Sequence, residues 1–427
     1  MAASCWGDGR RRRQRPPLDA SDVKRVVVVG NGVAGTLAAE TVVRQAGPSV
    51  SVTVVAEEPY PLYNRVALPR LLRGDVPESK VFMRDPQHHV KAGYELLLST
   101  RVVRVDPRER VVYTSDDRAL VYDRLLIATG GRPNALQASG AETRPRGLVY
   151  FQTLDDTRAI LDLVRGARRA VTVGGSYIAY ELTEGLRRQG LEVVWLMRGP
   201  YFLRRVLDED GGRLVDAIAH AHGVEVIHGE EVAQLLVRAG AVSGVVTTAG
   251  RTIEADIVAC GLGLTLNTEW LEGSGVEVRK GVVTDAYLQT NVPGIFAAGD
   301  VAEFYDGFID RHHTMGTWDN ASTHGRVAAA NMLGARQPYL EVPSYTSTLF
   351  DSTLYVLGMT TEVDPHLATV SSLDMESGNY RRLFFQGDRL VGAVMIGERA
   401  GRRTLKQMIR EKTPVPAGER AALLHVQ

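Results

Sequence analysis

The stretch RVVVVGNGVAGTLAAETVVRQAGPSVSVTVVAEE, residues 25–58, decides the fold. A valine run, Val26 to Val29, stops at Gly30, Gly32 and Gly35, which have the spacing GxGxxG. Small, helix-compatible residues follow, then a second apolar strand from Val50 to Val55, then the acid Glu57. Strand, glycine turn, helix, strand and terminal acid in that order form a unit that holds a dinucleotide. Gly30 permits the tight turn. Gly32 lets the backbone approach a pyrophosphate, and Gly35 lets helix and strand pack closely. The N–H groups that open the helix face the phosphates, so Asn31, Val33 and Ala34 are binding positions as well. Glu57 stands where a carboxylate accepts hydrogen bonds from a ribose diol, with Glu58 beside it.

Composition removes several classes of function. A chain of 427 residues suggests two or three domains. Fifty basic and fifty acidic side chains cancel, so no global charge favours nucleic acid or an anionic membrane. No apolar run approaches the roughly 18 residues of a spanning helix. The two cysteines, Cys5 and Cys260, make no disulfide framework and no cysteine-rich iron–sulfur or zinc site. They suit a reducing compartment, and a cytoplasmic location is expected. Residues 1–22 carry a basic cluster, Arg10 to Arg13 and Arg15, followed by Pro16 and Pro17. No apolar segment follows the arginines, so a disordered, solvated tail is expected rather than an export signal.

After Glu57 comes EPYPLYNRVALPRLLRG, residues 58–74, a proline-punctuated loop leading into a short helix. It brings Tyr63, Arg65 and Arg70 close together. Residues 81–122 alternate apolar and polar side chains, which predicts a β-hairpin with its turn near Asp106–Arg110. Val103 falls in this segment and is a candidate contact. YDRLLIATGGRPN, residues 122–134, is a buried strand ending in small residues. Ala128, Thr129 and Gly130 there allow another close backbone approach to a ligand.

A second, weaker copy of the opening pattern lies at AVTVGGSYIAYELTEGLRRQGLEVVWLM, residues 170–197. Gly174 and Gly175 follow a strand, and Ser176 and Ala179 take the second and third glycine positions. Tyr177 and Ile178 open a helix that runs to about Gln189 and stops at Gly190. The next strand ends at Arg198 instead of an acid. An acid there favours a free ribose 2′-hydroxyl and an arginine accommodates a 2′-phosphate, so the reading leans toward NADPH over NADH. Strands follow to Cys260, which reads as a buried, inert thiol, with Gly263 just beyond. In TNVPGIFAAGDVAEF, residues 290–304, a strand closes in Gly299 and Asp300, a carboxylate presented by small neighbours. NASTHGRVAAANMLG, residues 320–334, is an alanine-rich helix whose N-terminus suits an anionic ligand atom. His88-His89 and His312-His313 lack a third ligand in register, so no metal is expected. The last 90 or so residues are strand-rich and close with a helix, predicting a small α+β region.

Two nucleotide units, one inserted in the other, together with the ATG and GD segments, resemble the two-dinucleotide-binding flavoprotein reductases of the pyridine nucleotide-disulfide oxidoreductase superfamily. EEPYPLYNR is similar to the loop of NAD(P)H-dependent ferredoxin and rubredoxin reductases and of the flavin region of nitrite reductase large subunits. The resemblance implies an α/β chain of two Rossmann-like domains. FAD binds at residues 23–145 and 262–335, NAD(P)H at 146–261, and a C-terminal α+β domain spans 336–427. It implies FAD on the first unit, Arg65 beside the flavin, and Asp300 on the ribityl chain. Arg70 takes the place of a lysine near the flavin N5, and Glu181 lies near the nicotinamide. His324 stands where many relatives have glutamine. Two departures stand out. Residues 58–75 hold no cysteine, which excludes thiol chemistry by that route. Thr346 replaces a tryptophan often found beside the flavin in ferredoxin reductases, which argues against that subgroup.

The resemblance implies hydride transfer from NAD(P)H to FAD and then electron transfer to an external acceptor. That acceptor is a rubredoxin, a ferredoxin or a partner subunit. Two other readings stay open at this stage: an oxidase or quinone reductase without a protein partner, and a flavin-based redox sensor. The oligomeric state also stays open, a homodimer among the options.

Overall fold

A computed structural model describes Asp19 and residues 22–426. The basic tail, residues 1–22, lies outside the described residues apart from Asp19 and Asp22.

The valine run becomes the centre of a five-stranded parallel sheet. Its order is Ile295–Ala297, Arg124–Ile127, Arg25–Val29, Ser51–Val55, Glu95–Leu97. Val26 to Val29 are buried on both faces of the sheet, as a continuous apolar run requires. Helix Val33–Ala46 returns the chain from the first strand to Ser51–Val55 and packs on helix Trp318–Met332. Gly325 makes that crossing possible: a Cβ there would lie 2.3 Å from the Ala34 carbonyl oxygen.

A second parallel sheet repeats the plan, in the order Val224–His228, Glu192–Met197, Arg169–Val173, Ile257–Cys260, Leu148–Tyr150. All of it lies in sequence between Arg124–Ile127 and Ile295–Ala297, so the second unit is inserted into the first. The chain leaves through Gly131–Pro133 and returns through Leu264–Leu266, and these pair as an antiparallel ribbon. Each unit also carries a three-stranded antiparallel meander, residues 102–121 in the first and 232–254 in the second. The C-terminal region is a five-stranded antiparallel sheet with helix Arg402–Glu411, the α+β arrangement expected.

Two local expectations need correction. The alternation of residues 81–122 is a meander only from Val102; before it lie loop, the short helix His88–Ala92, and Glu95–Leu97, which joins the parallel sheet. The alanine-rich helix begins at Trp318, capped by the Thr317 hydroxyl, which accepts from Asn320 N–H at 3.3 Å. Trp318 and Asp319 therefore belong to its first turn, two residues ahead of the segment read from sequence. No helix among the described residues is long and apolar enough to cross a membrane.

Candidate cofactor site

One cavity of about 1720 Å³ runs along the carboxyl ends of the first sheet and reaches the second unit and the C-terminal sheet. It exceeds the few hundred to ~1000 Å³ of an ordinary single-ligand pocket. Parallel sheets present ligands at this end, beside the strand-to-helix turns.

Five segments meet there. From the first turn come Gly30, Asn31, Gly32, Val33 and Ala34. Gly30 has φ +111°, and a Cβ on it would lie 2.1 Å from the Ala128 carbonyl oxygen. Gly35 does not line the cavity; its Cβ would fall 1.9 Å from the Gly30 oxygen, so its role is close packing. Gly32 is the helix N-cap without a side-chain cap, and a Cβ on it would meet no protein atom within 4 Å. It therefore faces open space where the free N–H groups point. Glu57, Glu58 and Arg65 come from the next segment, and Ala128, Thr129 and Gly130 from the one after. Gly299, Asp300 and the helix start Thr317–Asp319 complete the wall.

Arg65 is held from three sides. It donates to the Gln152 carbonyl at 2.6 Å, pairs with Glu58, and lies 5.0 Å over the Tyr63 ring. Tyr63 in turn donates to Glu58 at 2.6 Å. Asn31 donates to the Tyr60 carbonyl at 2.9 Å, tying the glycine turn to this loop. Asp300 lies deep in the wall but opens on the cavity. Burial pushes its carboxyl up to about 6, with Arg65 pulling the other way. His324 does not line the cavity. Burial, with His313 adding to it, holds its ring neutral by lowering it to about 3, so Nδ1 can accept from Gly299 N–H at 3.3 Å. It thereby props the Gly299–Asp300 turn from behind.

On the second unit, Tyr177, Ile178 and Glu181 reach the cavity from helix Tyr177–Arg188. Burial raises the Glu181 carboxyl to about 7, opposed by hydroxyls of Tyr345 and Ser347 and by Arg73. Gly174, Gly175 and Ser176 lie outside the cavity, in the turn before that helix. Gly174 repeats the tight approach: φ is +123°, and its Cβ would lie 2.3 Å from the Gly261 oxygen.

Several expected contacts lie elsewhere. Arg70 is exposed and does not line the cavity, because Leu68, Pro69, Leu71 and Leu72 take the buried faces of its short helix. Val103 is 48 % exposed, while its neighbours Arg101 and Val102 reach the cavity; the strand alternation was off by one residue. Gly263 also lies off the cavity wall. Arg198 is exposed outside the cavity and pairs with Glu231 at 3.4 Å. Cys260 is buried, and burial pushes its thiol up to about 12, which leaves it unreactive. His88 meets Glu40, His312 the Thr284 carbonyl, and His313 meets Asp306. Among the described residues no cluster of three metal-ligating side chains occurs. Sequence reasoning missed Gln152, Tyr345 and Ser347. The last two stand two apart in VPSYTSTLF, a spacing that puts both on one strand face.

Residues 24–325 match the family model described as pyridine nucleotide-disulphide oxidoreductase, and residues 343–413 match that of the rubredoxin NAD+ reductase C-terminal domain. The ferredoxin–NAD(+) reductase component of an anthranilate 1,2-dioxygenase system from Burkholderia cepacia is 33 % identical over 340 residues, covering 78 % of this chain and 81 % of that one. Nitrite reductase [NAD(P)H] of Bacillus subtilis is 28 % identical over 407 residues, covering 94 % of this chain. The chain spans about half of that relative, 49 %, and likewise 50 % of the Bacillus subtilis assimilatory nitrate reductase electron transfer subunit. A crystal structure of a covalent putidaredoxin reductase–putidaredoxin complex superposes with a TM-score of 0.86 at 26 % identity, covering 95 % of this chain and 99 % of that one.

The chain therefore belongs to the pyridine nucleotide-disulfide oxidoreductase family. Its fold is the two-unit FAD and NAD fold with a C-terminal domain, and its cofactors are FAD and NAD(P)H. The residues present fit these groups: an uncapped helix start at Gly32, open space at Gly130, and a cavity of about 1720 Å³ lined by residues of both units.

Proposed function

We propose that this chain is a flavoprotein reductase that oxidises NAD(P)H and passes electrons to an external carrier, a rubredoxin- or ferredoxin-like iron–sulfur protein or a partner subunit. The observation that carries the reading is one cavity lined both by Gly30–Ala34 and by Tyr177, Ile178 and Glu181. When bound, FAD supplies the change from two-electron acceptance to one-electron release. The chain's own residues bind and orient. The helix starting at Val33 offers free N–H groups to phosphates, Glu57 to a ribose, and Asp300 to a polyol. Arg65, fixed by Gln152 and Glu58, holds its guanidinium on the wall of the cavity. The helix start at Thr317–Asp319 presents its positive end to the same space. Residues 23–145 with 262–335 form the FAD domain, 146–261 the NAD(P)H domain, and 336–427 the C-terminal domain. The setting is the cytoplasm.

With no cysteine in residues 58–75, the acceptor is not reduced through a thiol pair there. The test is stopped-flow reduction of the FAD-loaded protein by NADH and NADPH, then turnover with a purified rubredoxin or [2Fe–2S] ferredoxin. Flavin reduction in well under a second and carrier-dependent turnover are expected. Rapid peroxide formation without a carrier would sink the reading in favour of an oxidase.

A further inference from the structure

Glu181 is the acid of the second unit that faces the cavity, and it is held by a strand from a different part of the chain. Strand Ser344–Leu349 of the C-terminal sheet lies along helix Tyr177–Arg188. Its alternation turns Tyr345 and Ser347 to one face. The Tyr345 hydroxyl donates to Glu181 Oε1 at 3.2 Å, and the Ser347 hydroxyl, which also reaches the Thr348 carbonyl at 3.3 Å, donates to the same oxygen at 3.3 Å. The other oxygen, Oε2, makes no hydrogen bond among the described residues, and Glu181 lines the cavity. One turn further along the helix Glu184 is treated differently. It pairs with Arg73 at 3.3 Å and accepts from Thr348 at 3.0 Å. Glu184 is thus paired directly with a cation, whereas the hydrogen bonds to Glu181 come from neutral hydroxyls and Arg73 acts on it only through space.

We infer that Tyr345 and Ser347 are positioning residues for the nicotinamide site: the C-terminal strand pins one oxygen of Glu181 so that the other faces a bound nicotinamide carboxamide. The inference rests on the proposed function above. A carboxamide carries both an N–H donor and a carbonyl acceptor, so a pinned carboxyl can meet it in either protonation state. As carboxylate it accepts the N–H; as carboxylic acid it donates to the carbonyl. Two donors on Oε1 favour the carboxylate, and burial favours the acid. The balance leaves Glu181 titrating near neutrality, about 7. The groups that surround it are Tyr177 and Glu184 on its own helix, Arg73 on the short helix Leu68–Arg73, and Tyr345 and Ser347 on the strand. Arg65, Arg205, Asp300, Arg311 and Glu362 share the cavity. Tyr345 remains a hydroxyl donor throughout, because burial first and Glu181 next raise it well above its ordinary range. Its ring meets Tyr177 edge-on at 4.5 Å, which fixes its direction.

The experiment is calorimetric titration of the FAD-loaded protein with NAD+ between about pH 6 and 9, in two buffers of different ionisation enthalpy. The readout is the number of protons exchanged on binding, alongside Kd. In the unmodified protein, the positive charge of the NAD+ ring favours the carboxylate form, so proton release centred near neutrality is expected. Tyr345→Phe and Ser347→Ala each remove a donor to the carboxylate, so each moves that centre upward by about half a pH unit or more. Glu181→Gln abolishes the exchange in this window, and adding Tyr345→Phe to it changes Kd by less than about twofold. Unshifted exchange in both single variants, or full exchange in Glu181→Gln, overturns the inference while leaving the proposed function standing. Failure of the unmodified protein to bind NAD+ overturns both.

Discussion

The two nucleotide turns solve one problem with different residues. Gly30 and Gly174 both adopt positive φ and both press against a carbonyl of a neighbouring strand end, Ala128 in the first unit and Gly261 in the second. Beyond that they diverge. The first unit has Gly35 at the third position, where a Cβ would lie 1.9 Å from the Gly30 oxygen. The second has Ala179 there, and the glycine has moved to the opposing segment. A Cβ on Gly261 would lie 2.3 Å from the Ala179 nitrogen. At the second position Gly32 leaves the helix start uncapped, whereas Ser176 accepts from Ala179 N–H at 3.3 Å and donates to the Gly261 oxygen at 2.7 Å. The first turn keeps its N–H groups for a ligand. The second satisfies one of them itself and so gains less from binding. That is the difference expected between a resident cofactor and a co-substrate that comes and goes.

The sharpest way to break this comparison is at the shared position. Gly30→Ala forces a Cβ into backbone at positive φ, a cost of ~3 kcal/mol or more. It should yield little folded, flavin-loaded protein, read from flavin absorbance and thermal unfolding. Gly174→Ala should cost a similar amount in the inserted unit, with NAD(P)H binding lost before flavin. Gly32→Ala separates ligand from fold. It meets no protein atom, so apoprotein stability should change by less than about 0.5 kcal/mol. FAD affinity should fall roughly a hundredfold, as expected when a methyl stands in the phosphate path. Unchanged FAD affinity would show that the first turn does not face a pyrophosphate.

Glu57→Ala should weaken FAD by about tenfold, the loss of one charge-assisted hydrogen bond, and leave NAD(P)H affinity intact. Asp300 offers a test by pH. Its carboxyl is raised in the folded apoprotein to about 6, so the native state holds its proton more tightly than the unfolded chain. Its contribution to stability is therefore greatest at low pH and is lost as pH rises toward 6. Asp300→Asn should flatten that part of the apoprotein's stability-versus-pH curve, measured by denaturant unfolding. The smallest effect is expected at Arg198, already paired on the surface with Glu231. Arg198→Ala should leave the KM for NADH within about twofold and raise that for NADPH about threefold. Equal indifference to both would remove the case for a 2′-phosphate at this corner.

The turns were legible because their signals are local. Backbone strain at Gly30 and a terminal acid at Glu57 are written within one strand–helix–strand unit, and the strand at Leu125 announced itself by continuous apolarity. The errors came where direction depends on distant packing. Arg70 sits in a segment whose helical phase is set by the leucines it buries, and a lysine-like position in sequence says nothing about that phase. Val103 missed by a single residue because a meander of mixed polarity does not declare which face is inward. Tyr345 and Ser347 could not be tied to Glu181 at all. More than 160 residues separate them, and only the docking of the C-terminal sheet brings them together.

The insertion that nests one unit within the other also sets a timetable for synthesis. Four strands of the first sheet emerge early, ending with Arg124–Ile127, which then stands as a bare apolar edge. The strand that covers it, Ile295–Ala297, is about 170 residues later. At ribosomal speeds of ~5–20 residues per second, that edge waits on the order of ten to thirty seconds. In the interval the inserted unit has all its strands and can close on itself. Its folding brings Gly131–Pro133 and Leu264–Leu266 together and so delivers the missing strand to its place. The inserted unit acts as an internal clamp for the unit that encloses it, and lesions within it should surface first as aggregation of the nascent chain rather than as lost catalysis.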